Sequence, residues 1–313
     1  MSHNKPQAYK PGTHTGHGYG HMRQDNISEL TNTSDQPIPL LEFLRSNLPQ
    51  QSRTAVKALL KYDQIQLEGT VTNQFDTPVA PGQTISINFS RPWQTLSNPR
   101  LRIVYEDDDI IVVNKGYGLL SVGTDNKKEG TAYSILRDYL KRLNPANKLF
   151  IVHRLDRHTS GLMLFAKNIK AKEAMQHNWN NMVLDRRYAA IVEGCPEPAE
   201  GVHRSRLLEN AQHLMYSTDD PKGLEAVTRY KVLKSRNGYS LVDVSLDTGR
   251  KNQIRVHMHD MGTPIAGDRR YGAKTSPIHR LALHARTLRF VHPMTHKDMN
   301  FSIPLPASFN SLV

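Results

Sequence analysis

The chain has 313 residues, which is enough for two ordered domains or for one large domain with a tail. Lysine and arginine number 41 against 29 acidic residues, and the net charge of +12 favours polyanionic partners, RNA or DNA before acidic lipid. A single cysteine, Cys195, excludes an intrachain disulfide and a cysteine-based zinc site, and no apolar run is long enough to cross a membrane, so we expect a cytoplasmic protein without a membrane partner.

Residues 1–36 are rich in glycine, histidine, asparagine, threonine and serine. Because apolar residues are too sparse there to form a core, the composition predicts a disordered tail. The segment also lacks the apolar stretch of a secretory signal peptide, in keeping with the expected cytoplasmic location. Its histidines match no compact set of metal ligands, so we predict no metal site from His3, His14, His17 and His21.

Residues 38–90 have the pattern of a small separate module. Leucines at helical spacing between Leu40 and Leu48 predict a first helix, and Ser52 is a suitable N-cap for a second helix. The second helix is expected at 53–62, with short strands around 64–71 and 84–89.

The second helix of this module carries a basic stripe. Arg53, Lys57 and Lys61 recur every four residues and therefore share one face, opposite the apolar residues of the same helix. Such a stripe predicts contacts with RNA phosphates. An ordinary solvated helix face is the alternative interpretation.

Residues 91–100 contain two prolines and are interpreted as a linker, so that 101–313 forms the larger domain. Hairpin, strand and helix patterns alternate along it, which predicts a mixed α+β domain with a largely antiparallel sheet and a central cleft. The expected elements are a hairpin at 103–113, strands at 162–166, 188–192, 227–233 and 240–246, and helices near 131–142, 170–182 and 251–261.

The segment between two of these strands holds the first candidate for chemistry. It reads HRLDRHTSG from His153 to Gly161 and is predicted to be a loop. Loops held by rigid strands are where catalytic groups concentrate. Asp156 lies among arginines and histidines, and nearby positive charge favours an ionised carboxylate that can act as a nucleophile or a base. The alternative is an aspartate in a surface turn.

Two further segments are candidates for RNA contact. Tyr188 leads a predicted strand and offers a stacking face and a hydroxyl, both useful against a flipped base, although a strand tyrosine is usually a core residue. From Arg250 to Phe290 there are nine lysines and arginines against Asp260 and Asp268, a local excess that favours RNA contact. Histidines in this region lack the partners of a metal site.

Several segments in the same order resemble the RluA family of pseudouridine synthases. HRLDRHTSGLMLFAKN is similar to the family pattern HRLDxxTSGLLLFAK, and the resemblance extends over 101–306. The other matching segments are LRIVYEDDDIIVVNKGYGLLSV, RRYAAIVEG, TGRKNQIRVHMHDMGTPIAGDRRYG and RLALHARTLRFVHP. Residues 38–90 resemble the RNA-binding module named after small-subunit ribosomal protein four.

The resemblance implies an enzyme that isomerises uridines in RNA to pseudouridine without a cofactor or a metal. Asp156 matches the family's essential aspartate, Tyr188 the tyrosine that packs on the uracil, and Arg255 the basic residue that pairs with the aspartate. Arg154 matches the arginine that enters the RNA stack as the uridine leaves, and His153 joins it as an RNA-binding residue. Whether the carboxylate attacks the sugar or the base, or assists elimination, is left open.

The family analogy also suggests a target. Large-subunit ribosomal RNA is expected, with transfer RNA as the alternative target and a non-catalytic RNA-binding protein as the alternative function. A hydrolase is disfavoured because no nucleophile motif such as Gly-x-Ser-x-Gly is present. We expect a monomer with no obligate protein partner.

Three departures from the family pattern stand out. Gly116 replaces a proline, Lys251-Asn252 replaces Thr-His, and 200–222 lacks the common glycine-rich pattern.

Overall fold

The computed structural model describes residues 26–90, 92–93, 96, 98–123 and 129–313. Most of the predicted tail, including its four histidines, lies outside the described residues. In the part of the chain that is described, no helix is both long enough and apolar enough to cross a membrane.

The N-terminal module packs two helices against a small sheet. Its strands form an antiparallel sheet in the order β1-β6-β3-β4, and β2 pairs with β5. The apolar faces of both helices share one core with the inner face of the sheet. The elements are β1 Ile27–Thr31, β2 Ile38–Pro39, α1 Leu40–Asn47, α2 Arg53–Lys61, β3 Ile65–Leu67, β4 Thr70–Val71, β5 Pro78–Val79 and β6 Thr84–Asn88.

The predicted tail is wrong for residues 27–31, which form strand β1. This strand pairs along its whole length with β6, and Leu30 packs against the core of the module. The composition argument failed because an edge strand gains its hydrogen bonds from a distant partner and buries only alternate side chains. By contrast, Ser52 caps α2 as predicted, its hydroxyl accepting a hydrogen bond from the Ala55 backbone N–H at 3.1 Å.

The larger domain is built on one sheet of eleven strands. The order is β13-β12-β14-β15-β11-β16-β10-β8-β7, with β17 beside β16 and β9 beside β10. Its elements are β7 Leu101–Glu106, β8 Ile110–Lys115, α3 Ala132–Leu143, β9 Phe150–Ile151, β10 Ser160–Ala166, α4 Ile169–His177, α5 Trp179–Met182, β11 Val183–Glu193, β12 Glu200–Glu209, β13 Met215–Thr218, β14 Leu224–Arg236, β15 Tyr239–Leu246, α6 Gln253–Asp260, β16 Leu283–Val291, β17 Asp298–Ser302 and α7 Ala307–Asn310.

Among the strand pairs of this sheet, β10 and β16 are parallel and the others are antiparallel, which confirms the predicted fold class. Some details of the larger domain differ from expectation. The predicted elements do not include strands β9, β12, β13, β16 and β17 or helix α7, and the helix expected at 170–182 is divided at Asn178 into α4 and α5.

Strand β10 is an inner strand of the sheet, between β16 and β8, and is buried on both faces. Met163 and Phe165 point into the core beneath α3, whereas Leu162 and Leu164 point into the core beneath α4. A strand covered on both faces has a continuous apolar run instead of an alternating one, as the sequence LMLF shows. The strand therefore gives a rigid end to the loop that precedes it.

Gly161 fixes the point where this loop meets the sheet. It has φ +119°, and a Cβ placed on it would lie 2.1 Å from the backbone oxygen of Ala285 on β16. Only glycine allows the two parallel strands to approach so closely.

Candidate active site

A cleft of about 640 Å³ opens on one face of the large sheet. The 152–156 loop forms one wall, β11 forms the floor, and the segment 249–255 forms the opposite wall. The cleft brings together all the residues predicted for chemistry in the larger domain, namely His153, Arg154, Asp156, Tyr188 and Arg255.

Asp156 is half-buried in the turn that closes the loop, where its backbone oxygen accepts a hydrogen bond from the Thr159 N–H at 3.1 Å. Its carboxylate has no hydrogen-bond or ion-pair partner among the described residues. It nevertheless lies within electrostatic range of Lys115, Tyr188 and Arg255. The side chain is thus positioned by its turn and left free to meet a ligand.

Tyr188 is held in the middle of the sheet by β15 and β16, opposite Val244 and Ala285. Its ring contacts both main apolar cores of the larger domain. Burial raises the pKa of the Tyr188 hydroxyl, and the nearby Asp156 carboxylate raises it further, whereas Arg186 lowers it. The hydroxyl therefore stays protonated at neutral pH and can donate a hydrogen bond into the cleft.

Arg255 does not form the predicted ion pair with Asp156. Its guanidinium makes a bidentate pair with Asp268, at 2.7 Å from Nε and 2.8 Å from Nη2, and both side chains are nearly buried. Asp268 is the nearer carboxylate because the turn after α6 brings the chain back beside the helix. The two residues are 13 positions apart, so helix periodicity could not reveal their contact. Asp156 still acts on Arg255 through space, raising its pKa together with Asp268 against the effect of burial.

The departure Asn252 has a clear place in this arrangement. It is the N-cap of α6 and adopts φ 54°, a left-handed conformation that asparagine tolerates well. Its Oδ1 accepts a hydrogen bond from Arg255 Nη1 at 2.9 Å, and its Nδ2 donates to the Tyr271 hydroxyl at 3.2 Å. Asn252 therefore helps to orient Arg255.

The departure Gly116 is also explained locally. Its N–H donates a hydrogen bond of 2.7 Å to the Arg100 backbone oxygen, and a Cβ on it would lie 2.9 Å from the same oxygen. A proline in this conformation would lose that donor and crowd the Arg100 backbone.

His153 lines the cleft, but it is not a cation. Burial first and the charge of Arg186 second lower its pKa to about 3, and its Nε2 accepts a hydrogen bond from the Leu164 N–H at 3.0 Å. Its predicted contact with RNA remains a prediction, and that contact would not involve a positive charge. Arg154 is exposed at the rim of the same cleft.

Lys115 does not line the cleft, but it lies within electrostatic range of Asp156, and it is not one of the predicted site residues. Its side chain is fully buried, and Nζ donates hydrogen bonds to the backbone oxygens of Gly116 at 3.2 Å and Leu119 at 2.9 Å. Nζ also lies 3.5 Å from the Arg157 backbone oxygen, in the loop of Asp156. Burial lowers the pKa of Lys115 to about 7, against the opposing effect of Asp156. The available signal was a lysine at the end of strand β8, two residues after the apolar run from Ile110 to Val113.

Lys115 should make stability depend on pH. Between pH 7 and its ordinary pKa of about 10.4, the folded chain binds fewer protons at Lys115 than the unfolded chain, so the free energy of unfolding should rise with pH. We expect the difference between the wild type and Lys115→Met to increase with pH by up to ~1.4 kcal/mol per unit in this window. Urea unfolding at pH 7, 8, 9 and 10 measures it, and a constant or falling difference would contradict the assignment.

The basic stripe on α2 is outside this cleft. Arg53, Lys57 and Lys61 are all exposed, and Lys61 borders a smaller cleft of about 280 Å³ that separates α2 from the end of α3. Tyr62, Lys141 and Arg142 line the same small cleft. The two sets of predicted site residues therefore occupy different places in the fold.

One group of side chains has the composition of a metal site. Asp107, Asp109 and His292 have ligand atoms within 4.8 Å of one another. However, His292 Nδ1 accepts hydrogen bonds from Met294 N at 3.2 Å and Thr295 N at 3.0 Å, so its Nε2 carries the proton and donates to Asp107 at 2.9 Å. Neither histidine nitrogen then has a free lone pair, and the group fastens the β7–β8 hairpin to the β16–β17 turn.

Comparison with known proteins identifies the family. Residues 109–260 match the family model for RNA pseudouridylate synthase. The chain is 33% identical over 296 residues to an uncharacterized RNA pseudouridine synthase of Bacillus subtilis, covering 92% of this chain and 97% of that protein. It is 32% identical over 309 residues to ribosomal large subunit pseudouridine synthase D of Haemophilus influenzae, covering 93% of this chain and 95% of that protein.

Solved structures give the same result. Human RNA pseudouridylate synthase domain containing 4 matches with a TM-score of 0.55 and 27% identity, over 66% of this chain and 90% of that one. Human RNA pseudouridylate synthase domain containing 1 matches with a TM-score of 0.53 and 27% identity, over 68% of this chain and 86% of that one. The sequence motifs, the sheet and the relatives agree: the chain belongs to the RluA family of RNA pseudouridine synthases and is an enzyme.

Proposed function

We propose that this enzyme converts specific uridines of large-subunit ribosomal RNA to pseudouridine, with Asp156 as the catalytic carboxylate. The observation that carries the proposal is the Asp156 carboxylate itself, which has no partner in the described residues and faces the cleft beside Tyr188 and Arg255.

The proposed reaction rearranges one nucleotide and consumes no other reactant. The bond between uracil N1 and ribose C1′ breaks, the base turns, a bond forms between C5 and C1′, and the proton on C5 passes to N1. Atoms and electrons balance within the nucleotide, so no cofactor, metal or water is consumed. Asp156 attacks the sugar or the base, or assists elimination, and each route uses a positioned carboxylate.

The neighbouring residues take supporting roles in this proposal. Tyr188 packs against the uracil and offers its protonated hydroxyl. Arg255 provides a positive charge beside Asp156, while Asp268 and Asn252 hold its guanidinium in place. Arg154, at the exposed rim of the cleft, occupies the gap that the extruded uridine leaves in the RNA. Extrusion costs a few kcal/mol, and basic contacts to phosphate offset it.

The ribosomal target is supported by the extent of the similarity. Two relatives named for the ribosomal large subunit, from Haemophilus influenzae and Pasteurella multocida, each align with 93% of this chain, a share that reaches into the N-terminal module. Purified protein incubated with unmodified large-subunit RNA transcripts and with unmodified transfer RNA tests the target. Pseudouridine mapped at defined positions of the ribosomal transcript alone supports it, and modification of transfer RNA alone contradicts it.

The N-terminal module is assigned to RNA binding on the resemblance to the ribosomal protein four type. Its two helices on a small sheet leave Arg53, Lys57 and Lys61 exposed, clear of the active-site cleft. We propose that this basic stripe holds phosphates without reading bases, and that 91–100 tethers it to the catalytic domain at 101–313. Tethering raises the effective concentration of the catalytic domain at its target.

Removal of the stripe should weaken binding without slowing chemistry. For Arg53→Ala/Lys57→Ala/Lys61→Ala we expect weaker RNA binding and a flatter salt dependence, because each lost phosphate contact removes about 0.7–0.9 from the slope of log K against log salt. Turnover on a saturating short substrate should be nearly unchanged. Titrations at several salt concentrations measure the slope.

A matched control removes three exposed cations elsewhere, as in Lys222→Ala/Lys234→Ala/Arg236→Ala, with Lys222 in the β13–β14 turn and the other two at the end of β14. This variant has the same net charge and should keep most of the slope. An unchanged slope in the stripe variant, or an equal loss of turnover at saturating RNA, would show that the stripe is an ordinary solvated face.

A further inference from the structure

Another arginine, Arg186, lines the active-site cleft from strand β11, which forms its floor. Its Nη2 donates a weak hydrogen bond of 3.3 Å to the Leu246 backbone oxygen, and its guanidinium carbon lies 5.7 Å from the centre of the Trp179 ring. Throughout the described part of the chain, Arg186 has no acidic partner. Its positive charge is therefore presented to the cleft without neutralisation.

The next residue along β11, Arg187, is by contrast a paired arginine. Arg187 points to the other face of the sheet and forms ion pairs with Asp185 at 2.8 Å and Asp243 at 3.1 Å. Both nearby carboxylates on this part of the sheet are thus occupied by Arg187. Arg187 is thus fully paired on its face of the sheet, whereas Arg186, on the cleft face, is left without an acidic partner.

The guanidinium of Arg186 is held in a narrow place. Trp179 lies on one side, and Gly249 approaches so closely that a Cβ on it would lie 2.8 Å from Nη1. The Asp156 carboxylate lines the same cleft but makes no ion pair with Arg186 in the described structure, and of the nearer side chains the Tyr188 hydroxyl is protonated and His153 is neutral. A held, partly buried guanidinium with free N–H donors is prepared for a planar or tetrahedral anion.

We propose that Arg186 binds a backbone phosphate of the RNA next to the uridine that enters the cleft, and that Trp179 and Gly249 position its guanidinium for that contact. This inference rests on the proposed function, because it takes the cleft of Asp156 as the place where the uridine is extruded. Phosphate supplies the charge and the paired oxygens that a guanidinium prefers, whereas a uracil carbonyl supplies neither a charge nor a second oxygen in the right place.

The position of Arg186 in the cleft allows this phosphate contact to assist the reaction. Arg186 lines the same cleft as Asp156 and Tyr188, so a phosphate bound to it would lie beside the nucleotide that enters the cleft. Because the arginine is already fixed between Trp179 and Gly249, little side-chain entropy is lost on binding. The contact would hold the backbone while the base turns.

The test replaces phosphates one at a time. Total RNA from cells lacking the gene, treated with the wild-type enzyme, first identifies the modified uridine in whichever RNA contains it. Synthetic RNA spanning that uridine is then made with a neutral methylphosphonate at each neighbouring position. Affinity is measured with Asp156→Asn protein, so that no substrate is converted, with and without Arg186→Gln.

We expect Arg186→Gln to weaken binding of unmodified RNA about tenfold, the effect of losing one charge-assisted contact. At one position of the RNA, replacing the phosphate by a methylphosphonate should weaken binding by a similar factor in the protein that keeps Arg186. The same replacement should have no effect on binding by Arg186→Gln. Arg187→Gln, which changes the neighbouring paired arginine, should respond to every methylphosphonate as the protein with Arg187 does.

The inference would be overturned if, at every position, a methylphosphonate weakened RNA binding equally in the proteins with and without Arg186→Gln. If Arg186→Gln does not fold, Gly249→Ala provides the same comparison, since its methyl group displaces Nη1 and should reduce sensitivity at the same phosphate. Failure of the proposed function would appear elsewhere, as modification of an RNA other than ribosomal RNA or as pseudouridine formed by Asp156→Asn.

Discussion

Purified Asp156→Asn is expected to form no pseudouridine while folding and binding RNA like the wild-type protein. The substitution removes the ionisable group at almost constant volume, and neither attack nor proton abstraction remains. Stability should be preserved because the carboxylate has no hydrogen-bond or ion-pair partner in the described structure. Turnover should fall about 10⁴-fold or more, as for the loss of a central catalytic group.

Single-turnover assays on a reactive transcript measure this loss, and thermal unfolding and RNA titration accompany them. Asp243→Asn is a suitable control, because Asp243 lies on the opposite face of the sheet and pairs with Arg187. Pseudouridine formation by Asp156→Asn at a comparable rate would remove the basis of the proposed mechanism.

Breaking the Arg255–Asp268 pair is expected to have the second largest effect. Arg255→Met leaves the Asp268 carboxylate, 2% exposed, without its partner, and the free energy of unfolding should fall by about 3–5 kcal/mol. Turnover should fall much more than RNA affinity, since Arg255 also places its charge beside Asp156.

The double variant Arg255→Met/Asp268→Asn separates structure from chemistry. Replacing both partners removes the unpaired buried charge, so much of the lost stability should return. Turnover should remain low, because the positive charge beside Asp156 is still absent. Recovery of single-turnover rates together with stability would show that Arg255 serves the fold alone. Urea unfolding and single-turnover kinetics on the wild type, Arg255→Met, Asp268→Asn and the double variant complete the cycle.

Local patterns predicted most of the fold. The strand that follows Asp156 and the capped helix α2 can each be predicted from consecutive residues. An apolar run predicts the strand, and the N-cap Ser52 predicts the start of the helix. Strand β1 was missed because its partner β6 lies more than 50 residues away and half of its side chains face solvent. Strand β12 was missed because its polar alternation resembles a loop.

The site was predicted in part for the same reason. Asp156, Tyr188 and Arg255 were chosen from motifs, and the structure brings them into one cleft, although their catalytic roles remain predictions. The partner of Arg255 was predicted wrongly, and Lys115 and Arg186 were not selected. Which carboxylate neutralises which arginine depends on tertiary contacts between distant segments, and no spacing in the sequence encodes that choice.

The central claim is tested most directly by mapping pseudouridine in total RNA from cells with the gene, without it, and without it but expressing Asp156→Asn. We predict that one or more pseudouridines of large-subunit ribosomal RNA disappear when the gene is absent, return with the wild-type gene, and do not return with Asp156→Asn. A pseudouridine map that is identical in all three strains, or full restoration by Asp156→Asn, would contradict it.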